Sequence, residues 1–163
     1  MCTYTRLRAA AAVCGLVSLG LHGMAISQEH SQLVETGVIL SAQQVGHSAQ
    51  ARLIGATPPF WTPTPEDIAQ LEARLRPYLE TAAPPEAGVI VAKLESYKRQ
   101  YIGYTRDGKK WILVNSFCEE FWRKDDDWRD RVELVYDGGP CFFKLHYEPS
   151  SSQFERLWIN GEA

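Results

Sequence analysis

Few side chains in this sequence are suited to chemistry, and their positions narrow which chemistry is open. Of four histidines, only His146 stands in a strongly patterned run, where it alternates with Lys144 and Phe142 on one strand face. Imidazole changes charge nearest neutral pH, so His146 with Glu148 or Asp137 beside it is the acid–base candidate. No Ser, His and Asp spacing matches a known nucleophile arrangement, and no catalytic residue is assigned. A small hydrolase using His146 with an acidic partner is therefore the alternative reading, not the leading one.

The segment from Glu119 to Asp130 carries six acids and three bases. Asp125, Asp127 and Asp130 offer the carboxylate oxygens that calcium prefers, but the glycine and terminal Glu that shape an EF-hand loop are missing. A solvated loop accounts for the charges without a metal, and no metal or cofactor is expected. The same loop holds Phe121, Trp122 and Trp128. Buried, these rings cap the open end of a sheet; exposed, they form a recognition patch for protein or carbohydrate, and they are the residues on which a binding reading rests. Asp137-Gly138-Gly139 offers either an anion-binding nest or a turn that needs glycine geometry. Lys98, Arg99, Arg106, Lys109 and Lys110 make one hairpin locally basic, which suits a solvated edge that discourages strand pairing.

The elements that must position these groups follow from period and punctuation. Thr64 is an N-cap, Pro65 suits the first helical position, and Glu66 and Asp67 complement the helix dipole. Ile68, Leu71, Leu75, Tyr78 and Leu79 then fall on one face, with Glu72, Arg74 and Arg76 turned away. Pro77 should kink or shorten the last turn. After Pro84-Pro85 the period changes to two. Tyr97 to Thr105 and Lys110 to Phe117 flank Asp107-Gly108, the pair a type I′ hairpin turn needs. Arg131 to Tyr136, Cys141 to Tyr147 and Phe154 to Asn160 read as further strands. The expected fold class is α+β, one N-terminal amphipathic helix packed on an antiparallel meander of about five strands.

Composition agrees with one small globular domain: 163 residues, 45% hydrophobic and 23% charged. Arg6 and Arg8 precede an apolar stretch from Ala9 to Leu21, and Ala25 and Ser27 place small residues at −3 and −1 of a cleavage site before Gln28, the pattern of a secretory signal. Cleavage after Ala25 is an alternative site, and Cys14 fits a lipoprotein signal poorly because Val13 is bulky at the cut. Removing residues 1–27 takes two bases and no acid, so 17 basic residues fall to 15 against 20 acidic ones and the net charge moves from −3 to −5. That balance argues against a nucleic-acid partner. No stable membrane span is expected after cleavage, and a periplasmic or secreted location follows. Of four cysteines, Cys118 and Cys141 alone remain, and an oxidising compartment suits a bridge between them. The expected organisation is a signal peptide over 1–27, an exposed arm or linker over 28–62, rich in Gln, Ser, Ala and His, and a single α+β domain over 63–163.

Several runs carry a resemblance: Trp61-Thr62-Pro63-Thr64, Tyr97 to Gly103, Asn115-Ser116-Phe117-Cys118, Asp137-Gly138-Gly139-Pro140-Cys141-Phe142-Phe143 and Asn160-Gly161-Glu162-Ala163. Together they resemble a family of exported, uncharacterised bacterial proteins. The resemblance implies secretion and one small domain, and no activity. Helix-then-meander order is similar to cystatin-like folds at the level of fold alone. The leading expectation is a small, non-enzymatic binding or interaction domain of the bacterial envelope, with a protein or carbohydrate partner.

Overall fold

The computed structural model describes residues 32–123 and 127–162. The expected signal segment, His30, Asp125 and Asp126 lie outside the described residues. The fold is α+β. Its strands are β1 (Gln32–Val34), β2 (Gly37–Ile39), β3 (Phe60–Trp61), β4 (Lys98–Arg106), β5 (Lys109–Phe117), β6 (Phe142–Glu148) and β7 (Gln153–Ile159). Its helices are α1 (Ala42–Gly46), α2 (Ala49–Leu53), α3 (Pro65–Glu80), α4 (Glu86–Ala92) and α5 (Glu119–Trp122). Among the described residues, no helix is long and apolar enough to cross a membrane.

Helix α3 begins where its cap signals place it. Thr64 Oγ1 accepts from the Asp67 amide at 3.2 Å and Asp67 Oδ2 accepts from the Thr64 amide at 2.9 Å, a reciprocal capping box. Ile68, Leu71, Leu75 and Leu79 are buried on one face. Pro77 does not end the helix, which runs on to Glu80. Ala73, whose carbonyl loses its donor to Pro77, is exposed, so water can satisfy it. Glu72 does not face away. It lies 3.3 Å from the buried Arg99 guanidinium and accepts from the Tyr101 hydroxyl at 2.8 Å, tying helix to sheet. Burial raises the Glu72 carboxyl pKa, and Arg99 opposes that rise.

The sheet departs from a five-strand antiparallel meander. Strands β4 to β7 do form a meander, and the β4–β5 turn has positive φ at both Asp107 (52°) and Gly108 (74°), as a type I′ turn requires. Seven strands are present, however, and the sheet is mixed: β2 runs parallel to β4, and β3 follows it antiparallel along the same edge. Gly37 makes the parallel contact possible, because a Cβ there would stand 1.9 Å from the Arg99 carbonyl oxygen.

Both faces of the sheet are covered. On one, α3 and α4 pack against Tyr101, Ile112, Val114, Phe143, Leu145 and Tyr147. On the other, Val38, Leu40, Val45, Ala51, Ile54 and Ala56 pack against Ile102, Tyr104, Leu113 and Phe117. Residues 32–62 are thus no exposed arm: this stretch supplies strands, two short helices and half of the second core. Central strands that bury both faces need a second layer, and this one comes from the chain's own N-terminal portion.

The expected strand over 131–136 is also absent. Strand β5 pairs directly with β6, leaving no edge for it, and residues 118–141 form an excursion across the second face. Side chains hold it in place of a ladder. Gln100 Nε2 donates to the carbonyls of Trp128 (2.6 Å) and Arg131 (2.5 Å), and Asn115 Nδ2 donates to the Glu133 carbonyl (2.9 Å). A disulfide between Cys118 and Cys141, with Cα atoms 4.9 Å apart, closes the base of the excursion. Closing a loop of this size contributes about 3 kcal/mol in the chain-entropy account.

Candidate functional site

The three aromatics of the charged loop are packing groups. Trp128 is only 2% exposed, with its ring edge-to-face on Phe117 at 5.4 Å. Phe121 is wedged between Phe117 and Phe142, with ring centroids 5.2 Å from each. Trp122 is half-buried and donates from Nε1 to the Ser96 carbonyl at 3.0 Å. The rings close the second core, and no flat patch of all three forms. Of the proposed calcium ligands, Asp127 pairs with Arg131 at 3.0 Å and Asp130 gives its carbonyl to Gln44, while Asp125 lies outside the described residues. The Gly138-Gly139 turn spends an N–H internally, since Gly139 donates to the Gly161 carbonyl at 2.9 Å.

Among the described residues, three depressions are large enough for a small ligand, and one of them, about 490 Å³, is lined by Pro77, Tyr78 and Phe154 with Arg74 as its one charged side chain. The larger of the other two, about 650 Å³, lies between α4 and the disulfide and mixes Lys93 with Glu95, Glu119 and Glu120. Its charged lining sets one lysine against three glutamates. The second, about 410 Å³, lies where the end of α2 and residues 134–136 meet β6 and β7. Three of the large exposed apolar side chains border it: Leu53, Tyr136 and Trp158. Its acid–base side chains are Lys144, His146, Arg156 and Tyr136, with no carboxylate among them.

Strand register builds this second cleft. Phe142, Lys144 and His146 do share one face of β6, as alternation predicts. Lys144 lies opposite Trp158 on β7, and Asn115 on β5 lies opposite Lys144. Between Lys144 and His146 the β6–β7 register shifts, a bulge at which Arg156 takes a φ of +55°. Left-handed backbone at a non-glycine residue is costly, and bulges of this kind re-aim side chains; Arg156 lines the cleft.

His146 is 7% exposed. Its Nδ1 lies 2.6 Å from the Tyr104 hydroxyl. Burial pushes the Tyr104 pKa up to about 12, and the His146 tautomer decides which of the two groups donates in this contact. The Nε2 edge of the ring lies beside Gly55, on the side that lines the cleft. Burial foremost, then the cations Arg106 and Arg156, lower the His146 pKa to about 4. Gly55, at φ +102°, spares the ring edge a neighbour; a Cβ there would sit 3.4 Å from His146 Cε1.

Neither acid named beside His146 in the sequence reaches it. The Glu148 carboxylate is held by Lys109 at 3.1 Å and by the hydroxyls of Ser150 and Ser151. Asp137 contributes its carbonyl to Asn160. Glu155 is engaged by Arg106, which also stacks on Trp111 at 3.9 Å. Lys144, half-buried with its pKa lowered by burial, has no ion-pair or hydrogen-bond partner among the described residues.

No known family, curated protein or solved structure matches this chain. The site is therefore read from its own chemistry. Sequence reasoning found His146 and Lys144 on one face but passed over Trp158, Tyr136 and Arg156. The available signal was weak: an apolar Trp158 at the solvent-facing phase of a strand whose Leu157 and Ile159 face the core.

Proposed function

We propose that this protein is a non-enzymatic binding domain of the bacterial envelope, and that its ligand occupies the His146 cleft rather than a surface of Phe121, Trp122 and Trp128. The carrying observation is the cleft itself, about 410 Å³, with a basic floor and a rim of exposed Tyr136, Trp158 and Leu53. Large apolar groups left in water around convergent polar groups are a signature of recognition. Export belongs to the same reading, since a half-exposed Cys118–Cys141 disulfide is at home in an oxidising compartment.

The hydrolase alternative is less well supported. The cleft lining holds no Ser, Thr, Cys or carboxylate, and an imidazole with its pKa near 4 is a weak general base at neutral pH. A thermal-shift screen of small envelope-type compounds against the chain from Gln28 onward tests the reading. Hits are expected, and a Tyr136→Ala, Trp158→Ala double variant should lose them while keeping its own melting temperature within a few degrees. Hits that survive in the double variant would place binding elsewhere, and turnover of an ester, peptide or glycoside that disappears in His146→Asn would replace binding with catalysis.

A further inference from the structure

Resting on the reading of the cleft as a binding site, its chemistry narrows the ligand. Across the second face of the sheet runs a row of side chains in register: Gln100, Asn115, Lys144 and Trp158. The Gln100 amide and Asn115 Nδ2 are taken up by the backbone of residues 128–133 and by each other. Lys144 is next in the row, and nothing among the described residues answers its charge. A half-buried ammonium without a counter-ion is costly, and the cost falls when an anion arrives. The carboxylates around it are committed: Glu133, which lines a small void with Lys144, to Arg131, Glu148 to Lys109 and two serines, and Glu155 to Arg106 and Arg156.

The second polar group is the Nε2 edge of His146, turned to the cleft because Tyr104 occupies Nδ1; when the Tyr104 hydroxyl donates to Nδ1, Nε2 carries the ring proton and is a donor. Arg156 adds a guanidinium at the rim, brought there by the bulge. Lys144 faces this cavity with no acceptor among the described residues, while Arg156 is shared with Glu155 through Nε, in a chain whose net charge is negative. Across the strand pair from Lys144 stands the indole of Trp158, 64% exposed, with Tyr136, 76% exposed, also at the rim. Exposed rings at a cleft mouth present faces suited to stacking on an aromatic ring or on the C–H face of a sugar.

We infer that the ligand carries a carboxylate on a ring with an apolar face, the carboxylate meeting Lys144 and His146 at the floor and the ring face lying against Trp158. An aromatic acid and an acidic sugar share this chemistry. A volume near 410 Å³ suits one ring with its substituents.

Calorimetry with the disulfide-intact chain from Gln28 onward tests this, using benzoate and glucuronate beside their neutral counterparts benzamide and glucose, with inorganic phosphate as a ringless anion. At least one carboxylate should bind, about tenfold or more tighter than its neutral counterpart and than phosphate. Benzoate binding alone identifies an aromatic acid, and glucuronate alone an acidic sugar. Lys144→Met should lose that tenfold preference without lowering the urea midpoint, because the lysine it replaces has no partner among the described residues; a lowered midpoint would mean a structural lysine and overturn the inference. Trp158→Ala should weaken the acid and its neutral counterpart alike. Equal binding of acid and neutral forms, or of phosphate, overturns the carboxylate while leaving the cleft a binding site. If none of the ring acids binds and screen hits still respond to the Tyr136, Trp158 pair, the ligand class fails alone; if those hits ignore the pair, the cleft reading fails as well.

Discussion

His146 shows how a residue's neighbours set its role. A strand-surface histidine and a catalytic one look identical in sequence, and the difference lies in what surrounds the ring. Here burial and three nearby cations, Arg106, Arg156 and Lys144, oppose protonation, with Glu155 alone favouring it. The folded pKa near 4 lies below the 6.5 of an unperturbed imidazole, so between those values the unfolded chain binds a proton that the native one refuses. Stability from this residue is complete above pH 6.5 and is lost as pH falls towards 4. Between pH 7 and pH 5 the loss is of order 2 kcal/mol. Urea unfolding at both values should show it, and His146→Asn, which keeps an acceptor for Tyr104, should remove that part of the pH dependence. An unchanged dependence in the variant would place the proton elsewhere.

At the scale of elements, the 118–141 excursion replaces a strand by side-chain capture. Residues 131–136 have strand-like composition, yet β6 takes the edge of β5 that they would need. Their backbone polar groups still require partners once laid on the sheet, and Gln100 and Asn115 supply them, with Asn160 Nδ2 reaching the Val135 carbonyl at 2.8 Å. Asn115→Ala leaves the Glu133 carbonyl and Gln100 Oε1 without that donor. The expected cost is about 2 kcal/mol by chemical denaturation, with faster amide exchange confined to residues 128–136. Exchange that rises uniformly instead would argue that the excursion is held by Trp128 and the disulfide alone. The cleft depends on this element as well, since residues 134–136 form one of its walls.

For the whole molecule, the decisive feature is a sheet covered on both sides. Val38, Leu40, Val45, Ala51 and Ala56 are fully buried, so the N-terminal stretch is part of the core and its α2 end builds the cleft. Deleting residues 1–56 would strip cover from Ile102, Tyr104 and Leu113. Such a truncation should lose cooperative thermal unfolding or bind a hydrophobic dye, whereas removal of residues 1–31 should leave the transition in place. A cooperative, dye-free 57–163 fragment would restore the view of this stretch as an arm. What the sequence alone determined here are features decided within a few neighbouring residues: the Thr64-Asp67 capping box, the apolar stripe of α3, the Asp107-Gly108 turn, and the strands on either side of it. Cys118 with Cys141 was legible too, because only these two cysteines lie outside the expected signal segment. Tertiary structure decided the rest. Three-residue β2 has too few positions to show a period, and its partner lies some 60 residues away on β4. Both alternating sets of β4 and β5 are apolar around Tyr101-Ile102 and Ile112-Leu113, which signals two-sided burial without naming the segment that covers the second side. Lys144, Arg156 and Trp158 become a site only through strand register and a bulge, and those are set when distant segments pair.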